Sequence, residues 1–466
     1  MKMWSGRFRE PLDPAFERWQ RSFEFDKRLL EYELAASSAH ARALKDVEIL
    51  SSSELITILQ GLETIAVKSV SQEFLQDDEA EDVHHFVERK LVSIAGEVGY
   101  KLHSGRSRNE QIATDLRLYV RAGIDQIQIQ LAAWLEVLLD RAEQSKDAAM
   151  PAYTHLQRAE PVLVAHWLLA YVEMFLRDAG RLADCRIRLN VCPLGSGAVA
   201  GASLPLNRSV MAKELDFFGI TANSIDATSD RDFVIECVSS LSLLALHLSR
   251  WSEEMILFSS KEFGFVVAPD LYSTGSSAMP QKKNADLLEL TRGKSARILG
   301  DATALATSLK GLPLAYNKDL QEMQEPLFHA ADTVISLLPL VTGWMRSADF
   351  SYDSMQRAAQ TGFMNAWAAA TYLVQRGIPF RQAHENIGKA VHLCLEIGCE
   401  LQDLPLTELK QFNAAFDEDV YDALTLESVL SIHDVPGGTS PTRVRQALAD
   451  ARRKVNSILG GLHAHA

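Results

Sequence analysis

Four long runs of the sequence are poor in glycine and proline and carry apolar residues at intervals of three or four positions. These runs cover residues 116–142, 162–187, 233–259 and 285–309. In the first run, Ile124, Ile127 and Leu131 show the spacing of one face of an α-helix. A helix of about 25 residues is ~38 Å long, so each needs packing partners along its length. We therefore expect an all-α fold built around a central bundle of long helices.

The sequence changes character on both sides of these runs. A chain of 466 residues exceeds the roughly 250–300 residues that one hydrophobic core normally serves. The amino-terminal region predicts shorter helices, and after residue 351 Pro and Gly divide the chain into small ones. We predict three domains, at 1–107, 108–355 and 356–466. A further helical run contains Pro339, which would kink or end it, and the best candidate for a strand, Phe263 to Val267, is weak.

Charge and cysteine content argue against several classes of protein. The formal net charge of −14 gives no basic footprint for nucleic acid, so an anionic ligand would need locally clustered arginine and lysine. Charged residues begin at the amino terminus, and two uncharged stretches contain proline, glycine or amide residues, so we expect neither export nor a membrane span. The five cysteines show no C-x-x-C spacing, which favours reduced thiols in a cytoplasmic protein over a zinc site.

A first polar segment, KLHSGRSRN at residues 101–109, precedes the first long run. Its arginines, together with the backbone amides of a helix start, can bind a carboxylate. A capped helix with solvated charges would explain the same residues.

A second polar segment, PAYTHLQR at residues 151–158, precedes the second long run. His155 can transfer a proton near neutral pH, and Thr154 and Gln157 could orient it or a substrate. The alternative is a capping threonine beside a structural histidine.

A third polar segment, TGSSAMPQKKN at residues 274–284, is followed by Glu289. Glycine, paired serines and a proline are typical of a mobile loop, while Lys282 and Asn284 supply positive charge and amide donors for an oxyanion. A structural loop is the alternative, although such a loop does not require so many distinct polar groups.

The third segment, read as GSSxMPxKxN, resembles the signature of the fumarase/aspartase superfamily. Within it, the chain is similar to the argininosuccinate lyase and delta-crystallin branch, and the likeness extends from Trp4 to Thr439. The segments that carry this likeness are residues 102–109, 153–158, 229–233, 281–284 and 316–322. The resemblance implies a homotetramer whose active sites are each shared by three subunits, with no metal or cofactor. The implied activity is the reversible cleavage of argininosuccinate to arginine and fumarate, in arginine biosynthesis.

The resemblance also implies the site residues. The catalytic set is Ser276, His155, Lys282 and Glu289. The substrate-binding set is Ser22, His84, Ser107, Arg108, Asn109, Thr154, Asn284, Tyr316 and Gln321.

Physical chemistry then suggests the role of each catalytic group. Removing a proton from carbon beside a carboxylate creates a doubly charged aci-carboxylate, which Lys282, Asn284 and the loop amides would stabilise. Ser276 ranks as the base. His155, oriented by Glu289, would protonate the departing guanidino nitrogen, although the sequence leaves open which of Ser276 and His155 takes which proton.

The chain departs from the family pattern at several positions. Gln324 stands where the family usually has lysine, and losing a substrate-facing positive charge would weaken affinity or change which acid fits. The other departures are Glu33, His85, Val87 and Ala285. Two alternatives follow: a sister lyase acting on a different succinyl-amine, and a non-catalytic crystallin-like relative. Retention of Ser276 and His155 argues against the second.

Overall fold

A computed structural model describes residues 10–463. The helices in the first half are α1 (Pro14–Trp19), α2 (Phe23–Asp26), α3 (Leu30–Asp46), α4 (Ser52–Lys68), α5 (Val83–Ala95), α6 (Arg108–Gln144), α7 (Val164–Leu189), α8 (Arg208–Glu214), α9 (Ser224–Ser229) and α10 (Asp232–Ser259). The remaining helices are α11 (Asp286–Leu309), α12 (Gln324–Ser347), α13 (Tyr352–Ala359), α14 (Ala366–Gln375), α15 (Phe380–Ile397), α16 (Leu406–Phe412), α17 (Val420–Ala423), α18 (Leu426–Ser431) and α19 (Pro441–His463). The predicted all-α class is confirmed. The predicted absence of a leader concerns residues 1–9, outside the described range.

The four predicted long helices are present as α6, α7, α10 and α11. Three of them match the predicted limits within about two residues, whereas α6 already begins at Arg108. Its first two turns bury the polar residues Gln111, Thr114 and Asp115, so apolar periodicity does not reveal them. Pro339 lies inside α12 without ending it.

The described residues form two compact units. Unit 1 comprises residues 10–126, 181–242 and 297–333, and unit 2 comprises residues 127–180, 243–296 and 334–463. The five longest internal helices, α6, α7, α10, α11 and α12, each contribute residues to both units. The predicted division into three domains stays a prediction.

In unit 2, three buried tryptophans from three long helices pack edge to face. The ring centroids of Trp134 and Trp251 are 4.9 Å apart, and those of Trp251 and Trp344 are 5.4 Å apart. Phe175 of α7 contacts Trp134 at 5.6 Å in the same geometry. Such pairs stabilise by about 0.5–1.5 kcal/mol beyond the burial of their area. The aromatic residues therefore hold α6, α7, α10 and α12 together.

In unit 1, one face of α3 is formed by alanine. Ala36, Ala39 and Ala43 are buried against Met211 and Leu215 at α8. Small side chains let a second helix approach closely, and the close packing buries larger residues on the neighbour. This contact fixes α3, which carries Glu33 on another part of its surface.

The strands within residues 10–463 form four two-stranded pairs. They are β1 (Ala149–Thr154) with β2 (Gln157–Leu163), β3 (Val191–Cys192) with β4 (Gly219–Ile220), β5 (Val266–Val267) with β8 (Asp349–Phe350), and β6 (Thr274–Gly275) with β7 (Lys283–Asn284). Only two residues of the candidate strand Phe263 to Val267 are in a strand. The hairpin β1–β2, the longest of these pairs, was not predicted from the sequence.

The carboxy-terminal part of unit 2 has its own apolar cluster. Leu373 of α14, Ile387 and Cys394 of α15, Leu409 of α16 and Phe416 are buried together.

All five cysteines of the chain are free, as the reduced-thiol interpretation expects.

Two helical segments, Asp232–Ser259 and Lys318–Ser347, have the length and mean hydropathy of a membrane span. In these segments 56% and 61% of the apolar window is buried inside the protein. Burial of this extent is expected of helices that pack in a protein core.

Candidate functional site

The predicted site residues divide between the two units. Unit 1 contains Ser22, His84, Ser107, Arg108, Asn109, Tyr316 and Gln321. Unit 2 contains Thr154, His155, Ser276, Lys282, Asn284 and Glu289. The predicted catalytic residues all lie in unit 2, together with Thr154 and Asn284, whereas the other predicted substrate-binding residues lie in unit 1.

Arg108 is the first residue of α6 and is surrounded by carboxylates. Its Nη1 lies 2.8 Å from Oδ2 of Asp82 and 3.7 Å from Oε2 of Glu81. Asp82 is also the N-cap of α5, because its side chain accepts a hydrogen bond from the backbone N–H of His85. A substrate carboxylate that binds Arg108 would compete with Asp82 for the guanidinium group.

The segment around Arg108 is also a capped helix start. The backbone N–H of Ser107 donates to Oε1 of Glu110 at 3.0 Å, and Oγ of Ser107 accepts from the N–H of Asn109 at 3.3 Å. Oε2 of Glu110 accepts from the N–H of Gly197. The capping alternative is thus present in the structure, and it leaves the Arg108 side chain to other partners.

Ser22 is buried and belongs to the same region of unit 1. Its hydroxyl donates to Oδ2 of Asp26 at 2.6 Å, and Oδ1 of Asp26 accepts from the N–H of Val83 at 3.0 Å. Burial, with the negative charge of Asp82, raises the pKa of Asp26 to about 7. Ser22 is therefore tied to the first turn of α5.

His84 is 4% exposed and contacts two buried carboxyl groups. Its Nδ1 lies 2.8 Å from Oε2 of Glu33 and 3.6 Å from Oδ2 of Asp115. Burial opposes ionisation of Glu33, but the charge and hydrogen bond of His84, with Arg106 and Ser37, lower the pKa of Glu33 to about 2. Burial likewise disfavours charged His84, and Glu33 outweighs it, so the pKa of His84 is raised.

Tyr316, Gln321 and Gln324 lie at and beside the short turn that precedes α12. Burial raises the pKa of the Tyr316 hydroxyl, which also lies in the field of Arg231, Asp82 and Arg108. Nε2 of Gln321 donates to the backbone oxygen of Gln20 at 3.1 Å. Gln324 is 3% exposed, and its buried Oε1 has no hydrogen-bond partner in the described part of the chain.

His155 occupies the tip of the hairpin β1–β2. Thr154 pairs with Gln157 across the two strands, so His155 and Leu156 form a two-residue turn. Their φ angles are 55° and 57°, which suit a primed hairpin turn but are left-handed conformations that histidine and leucine rarely adopt. Both side chains are exposed. The turn thus leaves His155 exposed at the end of the hairpin.

Ser276 lies in the loop between the two-residue strands β6 and β7. Its Oγ accepts from the backbone N–H groups of Ala278 and Met279, at 3.3 and 3.1 Å. Hydrogen bonds from two amides stabilise negative charge on an oxygen more than they stabilise the neutral hydroxyl. The local geometry therefore favours development of alkoxide character at Ser276.

The two lysines of this loop have different environments. Lys283 binds the backbone oxygen of Ala268 and the carboxylate of Asp270. Lys282 is exposed and has no ion-pair partner among residues 10–463. Asn284 is partly buried, and its amide contacts Gly275 at the other strand of the loop. Lys282 is thus the lysine whose charge is available to a bound anion.

Glu289 is exposed in the first turn of α11. Within the described residues no hydrogen bond or ion pair joins Glu289, Ser276 and His155. The predicted orientation of His155 by Glu289 is therefore not made by a contact within one chain.

Sequence reasoning did not assign a role to Asp26, Asp82, Glu33 and Asp115. Their side chains are buried and join α2, α3, α5 and α6 around the predicted substrate-binding residues of unit 1. The available signal was weak, because acidic residues in helices usually form a solvated face.

The chain matches two protein-family models. One, described as a lyase, covers residues 6–300, and the other, described as argininosuccinate lyase C-terminal, covers residues 363–431. The argininosuccinate lyase of Koribacter versatilis is 58% identical over 458 residues, which are 98% of this chain and 98% of that protein. This chain belongs to the argininosuccinate lyase family. Another member, from Acidobacterium capsulatum, is 56% identical over 98% of this chain and 96% of its own length.

Solved structures show that the fold of this argininosuccinate lyase family member is shared more widely. An EDDS lyase variant with bound fumarate has a TM-score of 0.83 at 25% identity and covers 98% of this chain and 93% of its own. A class II fumarase from Schistosoma mansoni has a TM-score of 0.74 at 17% identity, over 86% of this chain and 90% of its own. The fumarase likeness concerns the fold alone.

Proposed function

We propose that the protein is an argininosuccinate lyase that cleaves argininosuccinate reversibly to arginine and fumarate, in arginine biosynthesis and in the cytoplasm. The observation that carries this proposal is the 58% identity to a curated argininosuccinate lyase over 98% of both chains. The residues Ser276, Lys282 and Asn284 of the loop signature and His155 of the hairpin are all retained.

The difficult step is removal of a weakly acidic proton from the carbon beside a carboxylate. The aci-carboxylate formed carries two negative charges on its oxygens, so the site must supply positive charge and donors where that charge develops. Lys282, with no internal carboxylate partner among the described residues, supplies the charge, and Asn284 and the loop amides supply donors. The proposed reaction uses protein groups and needs no metal or cofactor.

Ser276 is proposed as the base and His155 as the acid. The two amide hydrogen bonds to Oγ of Ser276, with the positive charge of Lys282 in the same loop, would lower the cost of forming the alkoxide. His155, exposed at its hairpin tip, would deliver a proton to the guanidino nitrogen as the carbon-nitrogen bond breaks.

Unit 1 is proposed to hold the substrate by its carboxylates and polar groups. Arg108 offers a planar guanidinium that matches a carboxylate, and Asn109 stands beside it in the first turn of α6. Tyr316, Gln321, Ser22 and His84 belong to the same unit.

The protein is proposed to act as a homotetramer with shared active sites. Exposed apolar side chains lie on the long helices, including Ile129 of α6, Leu246 of α10, Leu299 of α11 and Leu340 of α12. Helices of this length usually bury such residues against copies of themselves. Glu289 would then orient the His155 of a neighbouring subunit, which accounts for the absence of a contact between them within one chain.

A direct assay tests the activity. Purified protein is incubated with argininosuccinate, and fumarate is followed by its ultraviolet absorbance. Steady release of fumarate together with arginine is expected. Absence of fumarate, alongside turnover of another succinyl-amine by the same preparation, would reject argininosuccinate as the substrate.

The second candidate is a sister lyase that cleaves a different succinyl-amine, and Gln324 motivates it. Its side chain is neutral and buried, with an oxygen that has no hydrogen-bond partner in the described chain. The fumarate assay distinguishes the two candidates, and a Gln324→Lys variant tests the role of this position. If the variant lowers KM for argininosuccinate, the native site keeps this substrate but binds it more weakly than a site with lysine. If the variant raises KM, the native site binds argininosuccinate better with Gln324 than with lysine.

The third candidate, a non-catalytic crystallin-like relative, is disfavoured by the retained residues Ser276, His155, Lys282 and Glu289.

A further inference from the structure

Three helices of unit 1 meet at a buried group of ionisable side chains that takes no part in the proposed proton transfers. Glu33 of α3, His84 of α5 and Asp115 of α6 are 1%, 4% and 0% exposed. Their ligand atoms lie within 4.8 Å of one another, and within residues 10–463 this is the one such group of three. Burying a charged side chain costs free energy unless the charge is paired, so these three side chains must share protons or charges favourably.

Glu33 is an ionised carboxylate with nearly complete hydrogen bonding. It accepts from the hydroxyl of Ser37 at 2.6 Å, from Nε2 of Gln111 at 3.0 Å and from Nδ1 of His84 at 2.8 Å. The guanidinium of Arg106 lies 3.9 Å away. A carboxylate has about four lone-pair positions, so one position on Glu33 remains for a further donor.

Asp115 has the opposite environment. Both of its oxygens are buried and have no hydrogen-bond partner among the described residues. Glu33 and Asp26 disfavour its charge, whereas Arg106 favours it, and Nδ1 of His84 lies 3.6 Å from its Oδ2. Burial first, and then Glu33, raise the pKa of Asp115 well above its ordinary value. An ionised Asp115 would be a buried anion beside another anion.

We propose that Asp115 is a neutral carboxylic acid that donates its O–H to Glu33, and that this pair is a positioning element for the substrate-binding residues of unit 1. The proton satisfies an oxygen of Asp115 and occupies the remaining lone-pair position of Glu33. Glu33 then holds His84 through Nδ1. The inference rests on the proposed function and adds Asp115 and Glu33 to it.

The geometry explains what the pair positions. His84 is in the first turn of α5, two residues after Asp82, which binds Arg108. Asp115 lies two turns into α6, on the helix whose first residues are Arg108 and Asn109. Fixing Asp115, Glu33 and His84 therefore fixes the starts of α5 and α6 relative to each other, within one unit.

A metal ion is the competing occupant of the same group. One imidazole and two carboxylates are a ligand set that divalent metals accept. However, Nδ1 of His84 is within hydrogen-bonding distance of Glu33, which requires a proton between two atoms that would otherwise both face the metal. A shared proton therefore fits this group better than a metal ion, and a measurement of bound metal distinguishes the two.

The first test is spectroscopic and does not depend on activity. The infrared difference between the native protein and Asp115→Asn at neutral pH should contain the carbonyl stretch of a protonated carboxylic acid. The difference between the native protein and Asp115→Val should contain the same band. With two variants, the test still works if one of them does not fold. Asp178→Asn is the matched control, because buried Asp178 already accepts from Nδ1 of His247 at 2.6 Å, and it should leave the band unchanged. Absence of the band at Asp115 overturns the proposal.

The second test is kinetic and uses two variants of similar volume. Asp115→Asn keeps an N–H donor for Glu33 and should stay within about threefold of native kcat/KM. Asp115→Val has no donor, and should raise KM for argininosuccinate about tenfold with a smaller change in kcat, because a buried acceptor loses its partner and the binding residues shift. A folded Asp115→Val protein with native KM would refute the positioning role.

Two further outcomes are separable. One bound metal ion per chain in the native protein, lost in Asp115→Asn, would replace the proton with a metal and overturn the proposal. If the native protein releases no fumarate from argininosuccinate, the proposed function fails, yet the infrared band still decides the protonation of Asp115.

Discussion

Unit 1 buries several ionisable side chains. Glu33, His40, Asp115 and Arg231 are all at most 1% exposed. Two nitrogens of Arg231 lack hydrogen-bond partners within the described chain, and burial lowers its pKa to about 10. Removing the partner of a buried charge is strongly destabilising, by about 3–5 kcal/mol. We therefore expect charge changes here to affect stability as well as activity.

Ser276→Ala tests the base. The variant should lower kcat by at least ~10²-fold with an unchanged assembly, since a positioned proton-transfer group is lost. Ser277→Ala, at the exposed neighbouring position, is the control and should lose less than tenfold. Initial rates of fumarate release and sedimentation velocity are the measurements. Turnover of Ser276→Ala near the native rate would exclude Ser276 as the base.

His40→Gln tests a buried neutral histidine through its pH dependence. Nε2 of His40 donates to the backbone oxygen of Ser104 at 3.0 Å when that nitrogen carries the proton. Burial, with the charge of Arg106, lowers the pKa of His40 to about 3. The unfolded chain therefore binds a proton as pH falls below about 6.5 while the folded chain does not, and stability is lost over this window.

At pH 5 the loss from His40 amounts to about 2 kcal/mol relative to pH 7.5. His40→Gln keeps a donor for Ser104 and should lose less stability by that amount, as measured by urea unfolding at both pH values. His384→Gln, at an exposed position, is the control and should follow the native protein. Equal acid sensitivity of His40→Gln and native protein would contradict the assignment.

Among the elements, the hairpin β1–β2 has a turn whose backbone conformation its own residues do not favour. Its turn residues His155 and Leu156 both have positive φ, where asparagine and glycine are usual. A left-handed conformation costs roughly 1–2 kcal/mol for an ordinary residue. Such strain persists where the surroundings fix the backbone, and here it presents His155.

Leu156→Asn tests this strain. Leu156 is 69% exposed, so its replacement forfeits little burial, and asparagine tolerates the left-handed region. The variant should be more stable by up to about 1 kcal/mol, with His155 still presented and activity kept within a few-fold. Leu156→Pro, whose ring excludes a positive φ, should disrupt the turn. Thermal unfolding and the fumarate assay are the readouts; a destabilised Leu156→Asn protein would argue against a strained turn.

At the scale of the whole molecule, the exposed apolar residues of the long helices and the lack of contact between Glu289 and His155 both concern the proposed assembly. If His155 and Ser276 of one active site come from different subunits, a mixed oligomer combines both defects in some of its sites. Some sites of that oligomer then contain both intact residues.

Subunit mixing tests this sharing. His155→Gln and Ser276→Ala proteins, each inactive alone, are dissociated, mixed and reassociated. Partial recovery of fumarate release is expected from the mixture. Each variant carried through the same procedure by itself is the control and should stay inactive. No recovery from oligomers shown to contain both variants would contradict shared sites.

Much of this molecule followed from local sequence. The spacing of apolar residues predicted α7, α10 and α11 closely, because helix periodicity is set by neighbours three and four positions apart. The ordered polar segments were sufficient to identify the family, since their residue types are set by chemistry at the site. The roles of Ser276, His155, Lys282 and Glu289 stay predictions.

Other features appeared only in the tertiary structure, because they depend on residues that are distant in the sequence. Glu33 and His84 are 51 positions apart, and Glu33 and Gln111 are 78 apart, so no local pattern could reveal the buried group at Asp115. The polar start of α6 and the turn at His155 were also missed, because burial of polar groups and positive φ angles are enforced by packing. The sequence therefore determined the helices and the family, while long-range packing decided which acidic side chains became buried and which histidine stayed exposed.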